Sequence, residues 1–126
     1  MNFIIESNKN FDEVLDAITK IAEKKSFRVQ HIHPVSTILK EKGFEFDDYA
    51  IVELCSPAFA YQVLSTNKNY GMLMPCKILV YKHHDKVVLS IPKPTELVDK
   101  LGMKEIKTIA EEVEVMMKEI ATGVNL

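Results

Sequence analysis

The feature that most restricts the fold is a pair of strand-like runs joined by a short polar loop. Cys76 to Lys82 reads as one strand, His83-His84-Asp85-Lys86 as a four-residue hairpin loop, and Val87 to Ile91 as the returning strand. A hairpin makes its two strands antiparallel neighbours, so the chain must build a sheet around this pair. Pro92 and Pro94 then end it, because proline has no N–H to give to a ladder.

The rest of the chain supplies further strands and the helices that cover them. Phe3-Ile4-Ile5 reads as a short first strand. Asn10 and Glu13 form a capping-box pattern, and Phe11, Val14, Leu15, Ile18, Ile21 and Ala22 follow at helical spacing to about Lys25. Phe27, Val29, His31 and His33 alternate with Arg28, Gln30 and Ile32, which predicts a strand with both histidines on the apolar row. Pro34 suits the first position of a short helix that turns Val35, Ile38 and Leu39 inward and stops at Gly43. Asp47 to Cys55 reads as a strand with Val52 and Leu54 on one face and Tyr49, Ile51, Glu53 and Cys55 on the other.

Ser56-Pro57 predicts a helix start, a hydroxyl N-cap followed by proline at the first helical position. Ala60, Val63 and Leu64 give its buried stripe, it ends near Asn67, and Asn69-Tyr70-Gly71 marks a turn. Thr95 caps a short helix to Leu101, which Gly102 stops. A last helix covers about Lys104 to Ala121. Its seam of Ile106, Ile109, Val113, Met116 and Ile120 is widened by Ala110 and Met117, which favours packing on a sheet over a coiled coil. The order β-α-β-α-β-α-β-β-α-α predicts one α+β domain over residues 1–126: about five strands, largely antiparallel, with the two long helices on one face.

A chain of 126 residues can bury a core without staples, and its 47% apolar and 27% charged residues are ordinary for a globular domain. The net charge of −2 and the single arginine, Arg28, argue against nucleic-acid binding, which uses basic stripes and guanidinium forks. The N-terminal residues lack a signal peptide's basic and apolar regions, and no apolar run approaches the roughly 20 residues of a membrane helix. A cytoplasmic location with no membrane partner is the expectation, and there the two cysteines are reduced thiols rather than a disulfide.

Those cysteines carry the only strongly marked local chemistry. Each stands next to a proline or one residue from it, in Glu53-Leu54-Cys55-Ser56-Pro57 and Met74-Pro75-Cys76-Lys77. Cys55 precedes a helix N-terminus, whose free N–H groups and dipole can lower a thiol pKa; packed as a small hydrophobe, it would instead be inert. If the two strands are antiparallel neighbours the thiols come close, and if parallel they are a strand length apart. Glu53 is a base or ligand beside Cys55, or a strand-edge charge reaching solvent. His31 and His33 have the spacing to share a metal with a thiolate, or to be a half-exposed pair. Met72 and Met74 suit core packing better than a cleft lining. No GxGxxG, P-loop, GxSxG, HExxH, CxxC or EF-hand pattern occurs.

Three segments resemble the family called "domain of unknown function 302". They are Lys40-Glu41-Lys42-Gly43-Phe44 with Tyr49, Glu53-Leu54-Cys55-Ser56-Pro57 with Ala60, and Gly71 through Tyr81. The resemblance implies a small, often homodimeric α+β protein of bacteria and archaea, with no established activity and no known cofactor. Family members commonly carry Asn where this chain has Ser56, and either residue caps a helix.

The functional expectation is a cytoplasmic binding module that holds a small molecule or a soft metal in a cleft near Cys55, Cys76 and Glu53. Cys55, Cys76, His31 and His33 are the metal candidates. Two alternatives stay open: a thiol redox protein or enzyme with Cys55 as nucleophile and Cys76 as resolving thiol, and an interaction protein with purely structural cysteines.

Overall fold

The strands are β1 (Phe3–Ser7), β2 (Arg28–His33), β3 (Tyr49–Cys55), β4 (Cys76–His83) and β5 (Lys86–Ile91). In the computed structural model, which describes residues 1–126, they form one sheet in the order β1-β5-β4-β3-β2, with every pairing antiparallel. Two long helices, α1 (Phe11–Lys24) and α5 (Lys107–Gly123), pack on one face of it. Shorter helices α2 (Val35–Glu41), α3 (Pro57–Thr66) and α4 (Pro94–Leu101) fill the connections. The expected α+β architecture is therefore the observed one.

Alternation decides which side chains meet the helices. Along β3, Ala50, Val52 and Leu54 are buried while Tyr49, Ile51, Glu53 and Cys55 are only half-buried on the other face. Opposite residues share a face, so β4 contributes Cys76, Ile78 and Val80 to the inner side. Val14, Ile18 and Ala22 of α1 and Val113, Met117 and Ile120 of α5 close over them. The outer face is more polar and carries a cross-strand stack of Tyr49 on Tyr81, with ring centroids 5.6 Å apart.

Three local expectations change. In β2, Val29 pairs with Leu54 and His31 with Glu53, so Gln30 is an extra residue and the strand bulges. The bulge shifts the alternation: Val29 and Ile32 face the core, and His31 and His33 do not extend the apolar row but lie exposed on the outer face. In α2 the buried residue is Ser36, whose hydroxyl donates to the Tyr49 carbonyl (3.1 Å) and accepts from the Tyr49 N–H (2.9 Å). Docking through that backbone pairing leaves Ile38 40% exposed instead of inward, and Pro34 precedes the helix rather than opening it. Finally, His83 pairs with Lys86, so the hairpin loop is the two residues His84 and Asp85, with His84 in the left-handed region at φ +56°.

The apolar interior has two parts. The main cluster of 16 buried residues lies between the sheet and α1 with α5. A second cluster of five, Val63, Val98, Met103, Ile106 and Ala110, lies where α3, α4 and the start of α5 converge. Two 3₁₀ segments serve this second cluster. Lys68–Leu73 replaces the expected turn at Asn69-Tyr70-Gly71, and Lys104–Ile106 replaces the expected first turn of the last helix.

Two of the three expected side-chain caps, Asn10 and Ser56, part company. Asn10 makes the full capping box: its side chain accepts from the Glu13 N–H (2.9 Å) and its N–H donates to Glu13 Oε1 (3.0 Å). Ser56 holds the N-cap position of α3, yet its hydroxyl caps nothing. Asn10→Ala should therefore cost about 1 kcal/mol in urea unfolding. Ser56→Ala should stay within about 0.5 kcal/mol of the parent, as for a side chain that makes no bond.

Candidate functional site

A cavity of about 220 Å³ separates the two apolar clusters. Its walls draw on both. Leu54, Val113 and Met117 belong to the main cluster, and Val63, Val98, Ile106 and Ala110 to the second. α3 contributes Phe59 and Ala60, and the 3₁₀ segment after it contributes Met72 and Leu73. Met72 is 69% exposed and lines this cleft instead of packing in the core, while half-buried Met74 both lines it and packs against the second cluster. Proline shapes the rim: Pro75 follows a cis peptide bond from Met74, and Pro92 and Pro94 carry the chain out of β5 into α4. Eighteen of the 23 lining residues are hydrophobic, and an apolar void of ~150 Å³ is already enough to hold benzene.

The β3–β4 register brings both cysteines to this cavity. Leu54 stands opposite Cys76, so the end of β3 and the start of β4 lie side by side. The thiols are nevertheless free and out of contact, because Cys55 is one step past Leu54 and alternation turns it to the other face from Cys76. Burial pushes the Cys76 thiol up to about 11, with the neighbouring Cys55 adding to the rise and Lys77 opposing it. Burial raises Cys55 as well, which agrees with the alternative of a thiol packed as a small hydrophobe and not with one made acidic by the helix N-terminus. Both thiols are thus protonated at neutral pH.

The other sequence candidates lie elsewhere. Glu53 faces outward, opposite His31 on one side and Lys77 on the other, and does not line the cavity. His31 and His33 have ring centroids 6.1 Å apart on that same outer face. No group of three or more His, Cys, Asp or Glu side chains is placed to hold a metal ion. Sequence reasoning missed the α4 wall, Lys77 and the small residues Ala60 and Ala110, none of which carries a local chemical signal.

The α4 wall is fastened to α5 by polar contacts. Glu114 accepts from the Thr95 N–H (3.2 Å) and Thr95 hydroxyl (2.7 Å), and Lys107 pairs with Asp99 at 2.7 Å. Thr95, expected as the cap of α4, is thus inside the helix and tied sideways, with Lys93 at the cap. Partial burial works to raise the Glu114 pKa, but the hydrogen bonds from Thr95 outweigh it and hold the carboxyl below its usual range.

A model of the family described as "Domain of unknown function DUF302" matches residues 3–124, and the chain belongs to that family. The crystal structure of an uncharacterized conserved protein, DUF302, from Bacillus stearothermophilus is similar to it, with 26% identity and a TM-score of 0.94 over 98% of each chain. No curated protein matches. No helix is long and apolar enough to cross a membrane.

Two outcomes follow from these protonation states. With about one part in ten thousand of Cys76 ionised at pH 7, an aromatic disulfide reagent should modify it far more slowly than free cysteine, with a rate that keeps rising about tenfold per pH unit up to about pH 11, beyond the pH at which free cysteine levels off. Glu114 stabilises the fold above the carboxylate pKa of the unfolded chain, and that contribution fades as pH falls through its lower folded value. Glu114→Gln should flatten the loss of stability below about pH 4 in denaturant titrations.

Proposed function

We propose that this DUF302 chain is a binding module for a small, largely apolar molecule, held in the cavity beside Cys55 and Cys76. One observation carries the reading: a hydrocarbon-lined space opens at the paired ends of two central strands, walled by residues that come from four separate parts of the sequence. Concave, mostly apolar sites with a few polar groups are the usual form of small-molecule sites. Filling such a space recovers dispersion contacts that its walls otherwise lack.

The metal and redox readings draw less support. A soft-metal site needs thiolates and further donors, whereas here both thiols are held protonated and no third ligand joins them. A nucleophile with a resolving partner needs an acidic thiol and a second sulfur within reach, and alternation turns these two apart. The cysteines serve instead as compact, polarisable lining.

Ligand screening by thermal unfolding tests this. A naphthalene-sized neutral molecule at 100 times its dissociation constant should raise stability by about 2.7 kcal/mol. Ala60→Phe, which pushes a ring into the cavity from α3, should abolish that gain while leaving the protein folded. If no molecule from benzene to phenylnaphthylamine stabilises the parent chain, the reading fails.

A further inference from the structure

The polarity of the cavity is confined to one end. Among its lining residues that are neither hydrophobic nor proline, there are only Ser56 and Lys77, which come from the adjoining ends of β3 and β4. No acidic residue lines it, so Lys77, exposed at the rim, is the only lining residue with a formal charge. Its ammonium leans only on the Pro75 carbonyl at 3.5 Å and takes part in none of the chain's ion pairs, although Glu53 stands opposite in register.

Ser56 is the second observation. It is 6% exposed and lines the cavity, and no hydrogen bond of the protein uses its hydroxyl. Every fully enclosed side-chain N or O in the chain has a partner, so the Ser56 Oγ must be reached from an open space, and the cavity is the space beside it. Immediately after it begins α3, ten residues long. Its first position is Pro57, which has no N–H. The next two N–H groups, of Ala58 and Phe59, have no intrahelical acceptor, and the Ser56 side chain does not supply one. The Ser56 hydroxyl and Phe59 line the cavity, and the free N–H groups and positive end of the α3 dipole follow directly after Ser56 in the chain.

We infer that the occupant is an apolar molecule carrying one carboxylate, its tail between the two clusters and its head on Ser56 Oγ and the Ala58 and Phe59 N–H groups, with Lys77 at the rim. The inference deepens the apolar-ligand reading above and rests on it. A monocarboxylate matches the donor set in charge: one ammonium and no guanidinium line the site, too little for a doubly charged phosphate. The Ser56 hydroxyl, open to the cavity and without a partner in the protein, is a group that a neutral hydrocarbon would not satisfy.

Octanoate and methyl octanoate, which share a tail and differ in the head, separate this inference from its premise. Calorimetry on the full chain should show octanoate binding about tenfold tighter or better, since hydrogen bonds to a charged group discriminate by that order. Its addition should shift the Ala58 and Phe59 amide resonances. Ser56→Ala should weaken octanoate by roughly three- to tenfold, and Lys77→Gln by about two- to fivefold with the remaining affinity less sensitive to salt. Methyl octanoate, whose uncharged carbonyl keeps only a weak acceptor, should lose no more than about twofold in either variant. Equal binding of acid and ester, or a preference for the acid that survives both variants, overturns the carboxylate site and leaves the apolar cavity standing. Binding of neither probe removes both.

Discussion

The pairing of β3 with β4 is the constraint on which the rest of the structure depends. Leu54 opposite Cys76, Val52 opposite Ile78 and Ala50 opposite Val80 put one continuous apolar row under α1 and α5. The same register stacks Tyr49 on Tyr81 and sets Glu53 against Lys77 on the outer face. A slip of one residue would carry Lys77 into hydrocarbon and Ile78 out of it, at a cost no local gain could offset. Because the pairing ends at Leu54 and Cys76, it also fixes where α3 leaves the sheet and hence where the cavity opens.

The cavity exists because the two apolar clusters do not merge. α5 runs through both, with Ile106 just before its start and Ala110 in the smaller cluster, then Val113, Met117 and Ile120 in the larger. At the junction α5 and α3 each contribute a small side chain to the lining, Ala110 and Ala60. Interiors otherwise pack to crystal-like density, so space of this size in a chain with no buried polar atom left unsatisfied stands out as a feature of the fold. Ser56, Glu114 and Thr95 show the polar counterpart: contacts on α4 are spent on fastening the wall, and the one idle hydroxyl faces the opening.

Much of this was legible in the residues. Period-two runs and helical stripes predicted every strand and every α-helix in order, and the capping box at Asn10 and the glycine stops at Gly43 and Gly102 placed ends well. Cys55 and Cys76 were each marked as standing at an element boundary, but whether those boundaries adjoin stayed open until the β3–β4 register set Leu54 opposite Cys76. Their state was not legible, because a thiol beside a helix start is compatible with an acidic or an inert state until its burial is known. His31 and His33 looked like part of the core row because a bulge inserts one residue without leaving a mark in an alternating string. Ser56 looked like a cap for the same reason of locality: its position is that of a cap, and only its rotamer and surroundings leave it free.

By itself the sequence determined what depends on neighbours a few residues apart: the elements, most of their ends, their apolar faces and the antiparallel hairpin that makes the fold α+β. Only the tertiary structure decided what depends on residues brought together from far along the chain. Strand order, the outward turn of the histidines, the separation of the two thiols and the gap between two clusters all follow from contacts between distant segments. Period and propensity cannot encode them, since the same local pattern is compatible with a filled junction or an open one.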